Sequence, residues 1–144
     1  MINLVSTISQ IIHQLPYLKM LILFGSRAKG NTHANSDWDF AVLYDQELYE
    51  QTLQNAEGWE FLKIYSVLED YLQIPGEKID VVELDRCSPL LAHNIACHGK
   101  LLYEQEEGLF EQFKQQSVMT EQELQEQRQT LFNSLESFLQ ELGV

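Results

Sequence analysis

Residues 20–45 read MLILFGSRAKGNTHANSDWDFAVLYD, and the fold is decided here. Met20 to Phe24 is an unbroken apolar run of the length a buried strand uses. It stops at Gly25-Ser26, passes through Arg27-Ala28-Lys29 and crosses a polar loop from Gly30 to Asn35. Ser36-Asp37-Trp38-Asp39 then leads into Phe40-Ala41-Val42-Leu43-Tyr44, a second predicted strand. Asp37 and Asp39 are two positions apart, so a strand through both projects the two carboxylates from one face, with Trp38 and Phe40 on the other. Like charges held side by side repel and raise each other's pKa. A hard divalent cation such as Mg²⁺ relieves that repulsion. Gly25 lets the backbone approach a ligand closely, and N–H groups in such a turn hold phosphate oxygens. A phosphate cradle beside paired carboxylates is the equipment of metal-assisted phosphoryl or nucleotidyl transfer.

Gly25-Ser26, ten intervening residues and Asp37-Trp38-Asp39 resemble the signature of the polymerase-β-like nucleotidyltransferases. The compact surroundings, FGSRAKG followed by SDWDFAVLYD, are similar to those of the minimal nucleotidyltransferases (MNT), known as antitoxins of HEPN ribonuclease toxins. The resemblance covers residues 1–104 well and is weakest over the last forty. It implies an α/β fold of the α+β kind, a mixed sheet flanked by helices with C-terminal helices after it. It further implies transfer of AMP from ATP to a tyrosine of the toxin, with two Mg²⁺ ions. Asp37 and Asp39 would bind both ions, and Gly25 and Ser26 would grip the β- and γ-phosphates. Arg27 and Lys29 would neutralise developing charge.

The family pattern also asks for a third carboxylate from a later strand. Lys78-Ile79-Asp80-Val81-Val82-Glu83-Leu84 reads as that strand, with Asp80, Val82 and Leu84 on one face. An unpaired charge on an apolar face is costly, and joining Asp37 and Asp39 around metal gives Asp80 its reason. Glu83 points the other way and Asp85 sits at the strand end, so Asp80 is the better match.

A chain of 144 residues is expected to form one domain, 1–144, with a core over 1–104 and a helical extension over 105–144. Its hydrophobic share of 44% is ordinary for a globular protein. The start, MINLVSTISQIIHQL, lacks a signal peptide's basic end and cleavage site, and no apolar run approaches the ~20 residues that span a bilayer. Cytoplasm is the expected location. Net charge is −13, from 22 acidic and 9 basic residues. Such a surface repels nucleic acid and favours a basic protein partner, its approach steered electrostatically. Cys87 and Cys97 lack metal or disulfide-framework spacing and are expected to be reduced and partly buried.

Elsewhere the periodicity predicts helices. Leu4, Ile8, Ile11, Ile12 and Leu15 form a stripe that Pro16 closes. Phe61, Ile64, Tyr65, Leu68 and Leu72 form another within 47–73, with a break near Gly58. Ser88-Pro89 opens a helix to about Cys97, and Leu101-Leu102-Tyr103 is a short last strand. A helix over 106–116 carries Leu109, Phe110 and Phe113. Thr120 and Glu123 fit a capping box for a final helix striped by Leu124, Leu131, Leu135, Phe138 and Leu142. Phe132 and Leu139 broaden that stripe into a face for the core and for a partner. Arg86 and His93 imitate the R-x(4–6)-H motif of HEPN ribonucleases, but Arg86 falls in a loop where that motif needs a long helix.

Two other functions compete. A small-molecule acceptor, such as an aminoglycoside, would keep the chemistry but normally needs a further substrate domain. A non-catalytic antitoxin acting by contact alone would carry the aspartates as relics. The complete set of Gly25, Ser26, Asp37, Asp39 and Asp80 favours catalysis.

Overall fold

A computed structural model describes residues 4–30, 32–56 and 58–143. In chain order the elements are α1 (Leu4–Gln14), β1 (Leu18–Phe24), α2 (Ser26–Lys29), β2 (Trp38–Tyr44), α3 (Gln46–Asn55) and α4 (Lys63–Leu72). There follow β3 (Ile79–Glu83), α5 (Pro89–His98), β4 (Lys100–Glu104), α6 (Leu109–Ser117) and α7 (Glu121–Glu141). The strands form one mixed sheet in the order β3-β2-β1-β4. β1 pairs antiparallel with β2 and β4, whereas β2 and β3 run parallel. The fold is the expected mixed α/β arrangement with C-terminal helices.

Both faces of β1 and β2 are covered, which is why Met20 to Phe24 is apolar without alternation. On one face Leu21, Phe40 and Val42 pack with Ile11 of α1, with Leu15 just beyond it, and with Ile64 and Leu68 of α4. The side chain of Leu4, counted in the expected stripe of α1, lies outside the described residues. On the other face Met20, Ile22, Phe24 and Ala41 pack with Leu84 and with Ile95 of α5, and Phe110 and Phe113 of α6 flank them. Trp38 and Phe40 belong to the first face, as alternation requires. Each fully buried Leu or Ile contributes about 1.5–3 kcal/mol, so this double-sided sheet is a stiff base for its ends.

Local chemistry sets the boundaries. Asp45 caps α3 by accepting the Leu48 N–H at 3.2 Å. Ser88 caps α5 from the Leu91 N–H at 3.2 Å, with Pro89 in the first turn. Thr120 caps α7 from the Glu123 N–H at 3.1 Å. Between α3 and α4 the chain passes Gly58 at φ +94° and a short 3-10 turn over Glu60–Leu62. Phe61 sits on that turn and is exposed, so it is not part of the α4 stripe. Tyr17 fastens the same turn: its hydroxyl donates to Glu60 Oε1 at 3.1 Å. Both cysteines are free, Cys87 half-buried and Cys97 exposed.

The last helix departs from the expectation that its stripe packs on the core. Leu131, Phe132, Leu135, Phe138, Leu139 and Leu142 are all exposed, and only Leu124 and Gln127 of α7 are half-buried. The N-terminal half of α7 rests against α5, and the rest extends beyond the core. No helix among the described residues is long and apolar enough to cross a membrane.

Candidate active site

Three strand ends meet at one end of the sheet. β1 finishes at Phe24, whose register partner is Asp39 near the start of β2. Asp39 is in turn the register partner of Asp80 in parallel β3. Phe24, Asp39 and Asp80 therefore stand side by side on strands about 4.8 Å apart, and Gly25 follows directly on Phe24. Asp39 shares its face with Ala41 and Leu43, and Asp80 shares it with Val82 and Leu84. Both carboxylates thus project on the side of α5.

Asp37 is placed differently from the expectation that one strand carries it with Asp39. β2 begins at Trp38, and Asp37 is exposed in the loop just before it. The ladder cannot start earlier because the chain is still turning. The Ser36 N–H donates to the His33 carbonyl at 3.0 Å, and Ser36 Oγ accepts the His33 N–H at 2.9 Å.

Two of these carboxylates nevertheless act on the third. Burial first, then the charge of Asp80, then that of Asp37, raise the Asp39 carboxyl above the ordinary carboxylate range. Among the described residues, no group of three or more His, Cys, Asp or Glu side chains is drawn tightly enough together to hold a metal ion. Asp37 and Asp80 are exposed, and repulsion spreads such carboxylates apart. The donor set itself fits a hard divalent cation. It offers oxygen ligands only, from neighbouring positions, around a central carboxyl that resists ionising alone.

Gly25 is tied to Asp39 by two independent constraints. Its backbone lies at φ +75°, ψ −157°, a conformation essentially confined to glycine. A Cβ built there would collide with Oδ2 of Asp39. The glycine and the carboxylate, 14 positions apart, thus share one space. Beyond Gly25, Ser26 opens the single turn of α2, which no side chain caps. The first N–H groups of such a turn have no helical acceptor and suit phosphate oxygens.

The two expected cations differ in their surroundings. Lys29 is exposed at the end of α2. Arg27 is half-buried, its guanidinium carbon 4.2 Å from the centroid of the Trp38 ring, and Nη2 donates to the Ser36 carbonyl at 2.9 Å. Spacing did not single out Trp38 or Ser36 as supports of the site. The signal for Trp38 was a large aromatic at a strand start, facing away from the carboxylates.

The rival carboxylates are elsewhere. Glu83 lies with Tyr44, Tyr49 and Tyr65 around a hollow of ≈ 500 Å³. Asp85 accepts from Gln46 Nε2 at 3.1 Å, at the opposite end of β2. Another hollow, of ≈ 590 Å³, lies beside Trp59, Glu60 and Lys63, and none of the three aspartates lines it. Arg86 is a loop residue, and His93 Nδ1 accepts the Met119 N–H at 3.0 Å, pinning the α6–α7 connection.

Comparison with known proteins identifies the family. Residues 6–108 match the family described as polymerase beta, nucleotidyltransferase. A relative from Aphanizomenon flos-aquae, the protein adenylyltransferase MntA, is 46% identical over 94% of this chain and 89% of its own. A solved structure described as a toxin-antitoxin with AMP-PNP superposes with a TM-score of 0.63 at 25% identity, covering 93% of this chain and 98% of that one. The MNT antitoxin solved with the tri-AMPylated HEPN toxin of Shewanella oneidensis shares the fold, with a TM-score of 0.58 at 22% identity over 92% and 95% of the two chains. Matched over most of its length, with a relative 46% identical across nearly all of it, the chain belongs to the polymerase beta nucleotidyltransferase family.

Proposed function

We propose that this chain is the antitoxin of a HEPN toxin and acts as a protein adenylyltransferase, moving AMP from ATP to a tyrosine of that toxin in the cytoplasm. The observation that carries the reading is the adjacency of Gly25, Asp39 and Asp80 at one sheet end. The name of the Aphanizomenon relative and the AMP-PNP bound in the toxin-antitoxin structure support the reaction and its nucleotide. The tri-AMPylated toxin of the Shewanella complex supports the acceptor.

Asp37, Asp39 and Asp80 would hold Mg²⁺, two ions by family resemblance. When bound, the metal neutralises triphosphate charge and favours ionisation of the acceptor hydroxyl. The backbone amides after Gly25, with Ser26, grip the β- and γ-phosphates and leave the α-phosphorus facing the acceptor. Asp80, exposed on the edge strand, takes the tyrosine proton. The tyrosine oxygen bonds to the α-phosphorus as the bond to the β-phosphate oxygen breaks, and pyrophosphate leaves. Residues 1–144 act as one domain, with 105–144 as its extension.

Intact-mass spectrometry of the toxin after incubation with this chain, ATP and Mg²⁺ tests the reading. The expected result is a toxin heavier by whole AMP units, with none added by Asp37→Ala/Asp39→Ala. A toxin silenced on mixing without any AMP gain assigns the chain to contact-only neutralisation.

A further inference from the structure

We infer that Arg27 is a positioning residue that brackets Asp37 through the residues on either side of it. The proposal rests on the reading in which Asp37 serves the metal, and it gives Arg27 a task other than phosphate binding. Nη2 holds the carbonyl of Ser36, the residue before Asp37, at 2.9 Å. The same guanidinium lies 4.2 Å from the ring of Trp38, the residue after it. Ser36 is itself fixed by two hydrogen bonds with His33, and Trp38 is packed against the core on the far sheet face. One planar cation therefore joins a loop to a strand across the single exposed residue that must be aimed.

The chemistry suits arginine alone. A guanidinium can stack on an aromatic face while an edge N–H donates in its own plane, and an ammonium cannot do both in one pose. Nε is buried and has no partner among the described residues, so this cation is turned towards the protein. In this pose the ring-facing side of the guanidinium is taken by the indole and one Nη2 N–H by the Ser36 carbonyl. Lys29, exposed on the same turn, has no such ties among the described residues.

The test uses the full chain with ATP, Mg²⁺ and toxin, and a second measurement on the chain alone. Arg27→Ala is expected to lower kcat about 10-fold or more with the KM for ATP changed less than ~2-fold, the pattern of a misplaced group rather than a lost ligand. Half-saturating Mg²⁺ should rise. Trp38→Leu should reproduce both effects, and the double variant should add less than ~3-fold, because the two residues act as one unit. Arg27→Lys, the milder change, should lie between wild type and Arg27→Ala. Without any ligand, in a Trp59→Phe background that leaves Trp38 as the one indole of two, Arg27→Ala should shift Trp38 emission to the red. An Arg27→Ala variant with raised KM, unchanged kcat and full additivity with Trp38→Leu overturns the proposal in favour of phosphate binding. Unchanged Trp38 emission also overturns it. If wild type transfers no AMP, the functional reading fails, while emission still decides whether Arg27 clamps the loop.

Discussion

Replacing Gly25 with alanine separates backbone strain from site geometry. The residue sits at φ +75°, ψ −157°, where a Cβ-bearing residue is strained by about 1–3 kcal/mol. For a chain of this length 1 kcal/mol shifts the melting temperature by about 3–4 °C, so a fall of roughly 3–12 °C is expected. The new Cβ also meets Asp39 Oδ2. That carboxylate can rotate away and escape its crowded, charge-repelled setting, so the collision adds little to the stability loss. Activity takes the loss instead, since displacing a reacting group by ~1 Å costs on the order of 100-fold. Gly30→Ala is the control. Gly30 lies at φ +80°, ψ 6°, with nothing within 4 Å of an added Cβ. It should lose about 1–2 kcal/mol while AMP transfer stays within several-fold of wild type. Melting curves and intact-mass kinetics on both variants are the assay. A Gly25→Ala protein that transfers AMP at the wild-type rate would refute the shared space of Gly25 and Asp39.

Three further outcomes follow from the same geometry. Asp39→Asn should stabilise the ligand-free protein at neutral pH. A raised carboxyl pKa contributes stability below the ordinary value of 3.8 and loses it as pH rises through the folded value; the gain should therefore fade on acidification through that window, and a gain independent of pH would refute the electrostatic account. Mg²⁺ at ten times its Kd should stabilise wild type by about 1.4 kcal/mol, lost on chelation, and should do nothing for Asp37→Ala/Asp39→Ala in thermal melts. Leu135→Gln and Phe138→Gln on exposed positions of α7 should change stability by less than ~0.5 kcal/mol, whereas Leu21→Ala in the sheet should cost about 2–5 kcal/mol in denaturant titration.

Much of the fold was legible because the signals were periodic and redundant. Alternation in β3 put Asp80 with Val82 and Leu84, and the parallel register set it beside Asp39. The unalternated run Met20 to Phe24 announced a strand covered on both sides. What escaped was set by contacts between segments that share no period. The start of β2 depends on the His33–Ser36 turn, so strand alternation extrapolated one residue too far at Asp37. The role of Arg27 depends on where a long side chain lies after a tight turn, and spacing does not encode that. The stripe on α7 was visible, but whether it meets the core depends on where α6 leaves the chain.

The two halves of the site also differ in when they come into existence. Gly25 directly follows β1, and Asp39 lies in the antiparallel neighbour β2, so the two can meet as soon as both strands have left the ribosome. Asp80 arrives through a parallel pairing that closes a loop of about 40 residues, and such long-range pairing forms late. At ~5–20 residues per second of synthesis, that is some 2–8 s later. The nascent chain therefore passes through a stage with the Gly25 turn and one half-buried carboxylate, Asp39, before Asp80 joins them. The moment of assembly is fixed by the docking of an edge strand, so anything that slows β3 pairing delays the acidic cluster without touching Gly25, Asp37, Asp39 or Asp80.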